Sequence, residues 1–377
     1  MYLPLPLLGY LADSHGPVIL AVLSFLFFSP SYWISALYIQ KNWSYWVLAL
    51  SFGFIGLATS SLYFASLLTC AKLYPKNKGL TISVPVTCYG LSSLIGSQIL
   101  KLKFLKDLDK DELNLFKVFK FFAWIYLILG GFNWISSSVV TIEKKLILRT
   151  DEELSLLDNE IEVNHRLKYL KFLKDPAAYV LLLSILLTIG PSEMYITNMG
   201  SIVSQFNPTL SISDQVSLHA VSSTFARLSV GGLSDYLFNR LNISRVYILL
   251  TLMVLGILTQ VFLQFSDFFS YNFQIISILS GFTYGGLFTL FPTIVLSIWG
   301  SELFGSCWGS FMVAPAIGGS GFNMIFAHIF ESNCLIDGAK GGCLGDLFKM
   351  ILSSFVGGAV LIILLGRIME VKKGISL

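Results

Sequence analysis

Nine stretches of this chain contain no Asp, Glu, Lys or Arg: 14–40, 42–71, 79–100, 121–142, 176–192 continued by 194–213, 246–266, 268–301, 303–330 and 350–366. A hydrocarbon core ~30 Å thick is crossed by about 20 helical residues, so runs of this length read as membrane spans. A tenth, 215–235, meets the length if Arg227 is accommodated within it. Composition agrees, because only 12% of the 377 residues are charged, against roughly 25% in soluble domains. With 55% hydrophobic residues and a mean hydropathy of +0.74, no soluble arrangement of this length hides the apolar surface. Lipid is the expected solvent. A net charge of +3 with no basic tract gives no footprint for nucleic acid, and disorder requires low hydrophobicity and high charge. Five cysteines without a CxxC pair and four histidines do not make a metal framework, and no cofactor is expected.

Helix satisfies every backbone N–H and C=O inside lipid, whereas a run such as Leu181–Ile189 lacks the alternation of a barrel strand. Spans are expected near 17–39, 45–69, 79–100, 118–141, 177–200, 215–237, 245–266, 271–298, 303–330 and 347–367. Met1–Ala12 is apolar but too short to cross, and reads as the end of a helix. It is a poor signal peptide, having no basic segment before it and no small-residue cleavage site after it. The fold class is therefore an all-α polytopic membrane protein, with about ten complete helices and an amino-terminal partial helix.

Alternating loops place fifteen Lys and Arg residues on one side, between Lys72 and Lys373, and nine on the other, between Lys41 and Lys349. The richer side is expected to be cytoplasmic, although the run Lys101–Lys120 opposes the rule. The expected organisation is a helical half over 1–141, a polar cytoplasmic loop over 142–176, a six-helix half over 177–367 and a cytoplasmic tail over 368–377. Four complete helices precede the loop and six follow it. The first half is thus two helices short, and the expectation is that Met1 is not the start of the functional polypeptide.

The halves look like a parallel repeat. The run Gly9-Tyr10-Leu11-Ala12-Asp13 recurs in spacing as Gly231-Gly232-Leu233-Ser234-Asp235, 222 residues later, and Gly79 and Pro85 recur as Gly309 and Pro315, 230 residues later. A glycine near a helix end lets two helices approach closely, and the Asp four residues on can cap or pair at the mouth. Taken singly, each motif also fits plain turn chemistry.

Gly9, Asp13 and Gly16 have the spacing of the loop signature of the major facilitator superfamily, which this chain resembles. Ser14 and His15 stand where the signature carries basic residues, which removes the usual partners of its gating ion pairs. The runs Gly9–Pro17, Ser61–Pro75, Val84–Leu100, Tyr284–Leu296 and Val313–Gly318 are similar to the yeast monocarboxylate transporter homologue group. That resemblance implies two bundles of six helices, a vacuolar membrane location, and a gating motif at Gly9, Asp13, Gly16, Gly231 and Asp235. It names no solute.

Arg227 is the costliest residue to place, at about 2.5–3.5 kcal/mol at mid-membrane on insertion scales. It is expected to face the bundle interior and hold an anionic solute. Ala226-Arg227 resembles the arginine with which monocarboxylate porters hold a carboxylate, but Ser223 occupies the place of their Asp. The alternative is an arginine that snorkels to the mouth or locks Asp235. Glu193, two residues after Pro191, is the candidate coupling group, because the proline frees a carbonyl and opens a polar kink. Its alternative is an acid that simply reaches water. Tyr63, Tyr284 and Asn323 are further candidate substrate contacts, with Tyr89, His219 and His328 ranked below them. Cys334 and Cys343, with eight residues between them, are a candidate disulfide on the side opposite the basic loops.

No GxxxxGK[ST] loop, HExxH or HxxxxD pattern is present in the sequence, so an enzyme is not expected. The reading is a monomeric secondary or facilitative transporter that takes a small molecule, in one version a carboxylate together with a proton, by alternating access in a lipid bilayer. The alternative is a transporter-like sensor or scaffold that carries nothing.

Overall fold

The computed structural model describes residues 1–41, 44–74, 77–100, 102–106, 113–148, 165–264, 272–335 and 343–373. We number the helices α1 (Leu5–His15), α2 (Val18–Lys41), α3 (Tyr45–Leu73), α4 (Lys78–Ile99), α5 (Leu115–Leu148), α6 (Pro176–Thr197) and α7 (Met199–Phe206). They continue as α8 (Ile212–Leu241), α9 (Arg245–Gln264), α10 (Phe273–Trp299), α11 (Phe304–Phe311), α12 (Val313–Ile329) and α13 (Gly345–Lys373). Residues 165–173 are also helical, and among the described residues there is no strand beyond one isolated bridge, Lys106 to Leu113.

Among the described residues, eight helical runs are long and apolar enough to cross a membrane: Val18–Lys41, Tyr45–Leu73, Leu115–Ile142, Pro176–Thr197, Arg245–Gln264, Phe273–Trp299, Phe304–Cys334 and Gly345–Glu370. The two remaining expected spans, α4 and α8, have the length but are more polar. They are the helices that carry Tyr89, His219, Arg227 and Asp235. The amino-terminal stub is helical as α1, and ends at Gly16, whose φ of 91° lies in the left-handed region that favours glycine.

Two expected helices are each divided in the structure. The run 177–200 breaks at Asn198, whose side chain donates to the Met194 carbonyl at 2.9 Å, a local hydrogen bond that competes with the helix. The run 303–330 breaks at Met312, because Pro315 has no N–H to offer the Phe311 carbonyl four residues earlier. A third proline shows how such a break is repaired. Pro191 leaves the Leu187 carbonyl without its helical donor, and Ser354 Oγ of α13 fills the place at 2.6 Å. Asp175 marks the start of α6 by accepting from Ala177 N at 3.1 Å, with Pro176 in the first helical position.

The chain forms two compact units. One consists of Met1–Leu73, Ser92–Lys171 and Ser301–Ser310, the other of Tyr74–Leu91, Phe172–Gly300 and Phe311–Leu377. In the first, α2 packs between α3 and α5, and its Phe28 stacks on Tyr126 of α5 at 4.0 Å between ring centroids. In the second, α10 lies along α8, and α6 packs on α12 and α13. The core of this unit is α10, which is buried without interruption from Gly285 to Leu296. Each unit contains a short segment from the opposite sequence half: 74–91 in the second and 301–310 in the first.

Candidate functional site

The two aspartates of the repeat occupy equivalent positions within their own units. Asp13 Oδ2 accepts from Ser306 N at 2.6 Å and Ser306 Oγ at 2.9 Å, in the first turn of α11. Asp235 accepts from Gly79 N at 2.8 Å and Leu80 N at 2.9 Å, in the first turn of α4. Both therefore place negative charge on the free N–H groups of a helix start. The glycines explain how the backbones come so close. A Cβ on Gly9 would strike the Gly305 carbonyl, and one on Gly231 would strike Ser83. The crossings pair Gly79 with Gly305 rather than with Gly309, one helical turn from the sequence alignment.

The counter-ions differ between the crossings. Asp13 has Lys72 Nζ at 3.7 Å, and His165 Nε2 at 4.0 Å. Asp235 has Arg245 Nη2 at 3.0 Å in a pair buried on both sides. Arg245, which sequence reasoning used only for orientation, also lies 4.2 Å over the Phe238 ring and reaches Ser297. The spacing signal was present, since Arg245 stands ten residues after Asp235 at the first position of the next helix.

Arg227 is therefore not the lock on Asp235. Its side chain is buried, with Nη1 donating to the Val86 carbonyl of α4 at 2.8 Å. The guanidinium lies 5.7 Å from the Tyr284 ring centre and 6.0 Å from that of Phe288. Gly90 makes the room, because a Cβ there would collide with Nη1. Sequence reasoning missed Gly90, which follows Tyr89 directly and carries no motif of its own. Among the described residues, Arg227 Nε has no hydrogen-bond partner and Arg227 forms no ion pair.

Tyr284 links this cation to the candidate acid. Its hydroxyl donates to Glu193 Oε1 at 3.0 Å, so Arg227, Tyr284 and Glu193 form one contiguous group in the second unit. Asn323 is placed beside this group on α12, where its Oδ1 accepts from Asn198 Nδ2 at 2.6 Å and its Nδ2 donates to the Gly319 carbonyl at 2.7 Å. An added Cβ at Gly319 would lie 3.4 Å from the Glu193 side chain. Tyr63 is in the first unit, buried next to Phe64 with 5.8 Å between ring centres. His219 packs against Tyr284 with 5.9 Å between ring centres, while His328 is exposed in the last turn of α12.

Cys334 and Cys343 are joined by a disulfide at the end of the π-helical turn Phe330–Leu335, with S–S 2.04 Å. Outside the spans, Lys168 hydrogen-bonds Glu302 at 2.7 Å and holds its carboxyl below the usual carboxylate range.

The sequence matches the family model described as Major Facilitator Superfamily over residues 3–322. The chain belongs to the major facilitator superfamily. It is 55% identical over 362 residues to a Wickerhamomyces anomalus protein named "Probable transporter MCH1", covering 92% of this chain and 74% of that relative. A Saccharomyces cerevisiae protein of the same name is 39% identical over 397 residues, covering 96% and 81%. Among solved structures, a variant of the Escherichia coli fucose:proton symporter FucP aligns with TM-score 0.64 at 12% identity, covering 97% of this chain and 88% of that one. The human organic anion transporter MFSD10 aligns with TM-score 0.61 at 11% identity, covering 95% and 80%. Both structural likenesses concern the fold. The protein is a multi-pass membrane transporter of the yeast group it resembles, and not an enzyme.

Proposed function

We propose that this superfamily member carries a small organic anion, a carboxylate, across the vacuolar membrane by alternating access, with Arg227 holding the carboxylate and Glu193 carrying a coupling proton. The observation that supports the solute class is the state of Arg227: a buried guanidinium with Nε unpartnered and no carboxylate of the chain paired to it among the described residues. A buried cation without a counter-ion is strongly disfavoured, and an incoming carboxylate supplies both the charge and acceptors for the free N–H groups. Glu193 suits the coupling role because a carboxylate held next to a tyrosine hydroxyl can be neutralised by one proton without losing that partner.

Alternation requires the two aspartate crossings to part, since each holds a segment of one sequence half against the other half's motif. The vacuolar membrane is supported by the group resemblance, and an oxidising lumen by the disulfide opposite the basic loops. The solute class is tested by uptake into sealed vacuolar vesicles from cells with and without the full-length gene, using panels of labelled carboxylates and neutral solutes. The proposal expects gene-dependent flux of one or more carboxylates that is stimulated by a pH gradient. Gene-dependent flux confined to neutral solutes contradicts the anion, and solute-dependent conformational change without flux favours a sensor.

A further inference from the structure

Inside the second unit, a small cavity of about 20 Å³, room for a single water, lies among α6, α8, α9, α10 and α13. Its walls include Tyr195, His219, Gln260 and Thr283. Each of these is at most 6% exposed. Each also presents an atom with no hydrogen-bond partner: Tyr195 OH, His219 Nε2, Gln260 Oε1 and Thr283 Oγ1. The other polar positions nearby are already engaged. Ser280 Oγ meets His219 Nδ1 at 3.1 Å, Thr259 Oγ1 donates to the Leu255 carbonyl at 2.9 Å, and Ser192 Oγ to the Thr188 carbonyl at 2.7 Å. The Tyr195 hydroxyl faces Ser280 without closing a hydrogen bond of good geometry.

Four orphaned polar atoms around one cavity are costly if dry, because each forfeits its hydration with nothing in return. A water has two donors and two acceptor sites and needs two to four partners in such a place. The lining supplies an amide acceptor, two hydroxyls and an imidazole nitrogen that serves either role according to tautomer. No carboxylate lines the cavity, which makes it a poor cation site.

We propose that the cavity is a water-binding site and that its water joins His219 to the Tyr284–Glu193 hydrogen bond, making His219 the second proton-holding group of the transport cycle. This role rests on the coupling read above for Glu193. Tyr284 borders the cavity and donates to Glu193 Oε1. The transfer balances when each member gives one proton and takes one. From the Glu193 carboxylic acid one proton passes to the Tyr284 oxygen, Tyr284 gives its own to the water, and the water gives one to Nε2 of the neutral His219 imidazole. The net change is a Glu193 carboxylate and a His219 imidazolium, whose charges offset each other. The titratable and charged groups that face His219 are Tyr195 from α6, Tyr284 from α10 with Glu193 behind it, and Arg227 two turns along α8 itself; α9 and α13 contribute no titratable group to the cavity wall.

Radiolytic hydroxyl labelling of the full chain in nanodiscs, run in ¹⁸O-water, tests the site without requiring transport. Tyr195 and Phe355 border the cavity, and the fully buried Phe291 is the dry reference. The proposal expects Tyr195 and Phe355 to oxidise at least fivefold faster than Phe291, falling to the reference rate in Thr283→Leu, which fills the cavity. Equal rates in the native chain overturn the water site. Thr283→Val supplies an independent sign, lowering the melting temperature if it removes a partner of the water and raising it if the hydroxyl is an orphan in a dry void. The relay is read in vesicles as the ratio of pH-driven accumulation to solute exchange at equal pH. His219→Gln should lower that ratio at least tenfold, whereas a structural histidine lowers both rates and leaves the ratio unchanged, which overturns the relay. Absence of both activities in the native chain sinks the transport reading and leaves the labelling result standing.

Discussion

Arg227 costs the bundle stability and returns it only with a partner. Its Nη1 has the Val86 carbonyl, but a neutral acceptor does not discharge a guanidinium, and a carboxylate does so through two parallel hydrogen bonds. Replacing Arg227 by Lys keeps the charge and loses the fork, which is worth about 1.5–3 kcal/mol for a hydrogen bond to a charged group, roughly a tenfold or larger loss of affinity. Glu193→Gln keeps an acceptor for Tyr284 but cannot take a proton. The expected outcome is uptake that no longer responds to a pH gradient, with exchange at equal pH retained in part, measured by labelled-solute flux at several pH values. Asp235→Asn leaves Arg245 buried without its counter-ion, which costs about 3–5 kcal/mol in such pairs. Thermal unfolding of the purified chain should register that loss, and Asp235→Asn with Arg245→Leu should recover part of it. Arg227 and Glu193 were visible in the sequence because a charge inside an apolar run is conspicuous. Gly90 and the hydrogen bond of Tyr284 to Glu193 were not, since they depend on which helix faces which.

Among the elements, the proposed alternation turns on the two crossings. Gly231 and Gly79 bring α8 and α4 into backbone contact, and Gly9 and Gly305 do the same for α1 and α11. A leucine at Gly231 should hold α4 off α8 and expose the Asp235 end of that crossing, detected as faster thiol labelling of a cysteine introduced at Ser83 and a loss of transport. Unchanged labelling would mean that the crossing tolerates the bulk. Pro191 is the other element-scale device, and Ser354→Ala should leave the Leu187 carbonyl unpartnered at a cost of about 1–3 kcal/mol, read as a lowered melting temperature. The helices themselves follow from charge-free length, which is why their expected positions agree with the structure to within a few residues over most of the chain. The breaks at Asn198 and Met312 were missed for different reasons. The first rests on the Asn198 side chain turning back to the Met194 carbonyl while it also reaches Asn323, 125 residues away, and the second on a carbonyl that Pro315 cannot serve. The repeat was legible from Gly and Asp spacing, but its register was not, because only the capping geometry shows that Gly79 corresponds to Gly305.

For the whole molecule, the proposed cycle combines a buried arginine that forms no ion pair among the described residues with two aspartate-capped crossings. The family is shown over residues 3–322, whereas the proposed cycle draws on the repeat and the proposed solute on Arg227 alone. The proposed orientation draws on the loop charges and the proposed vacuolar setting on resemblance, whereas the polar cavity beside His219 could not be anticipated, since its four unpartnered polar atoms come from four different helices. The most direct test is apparent affinity and maximal rate for a transported carboxylate, measured in sealed vesicles with wild type and Arg227→Lys at equal protein abundance. The account predicts that Arg227→Lys raises the apparent KM at least tenfold for the carboxylate. Carboxylate transport by Arg227→Lys with unchanged affinity would contradict it and make the arginine a packing or gating element.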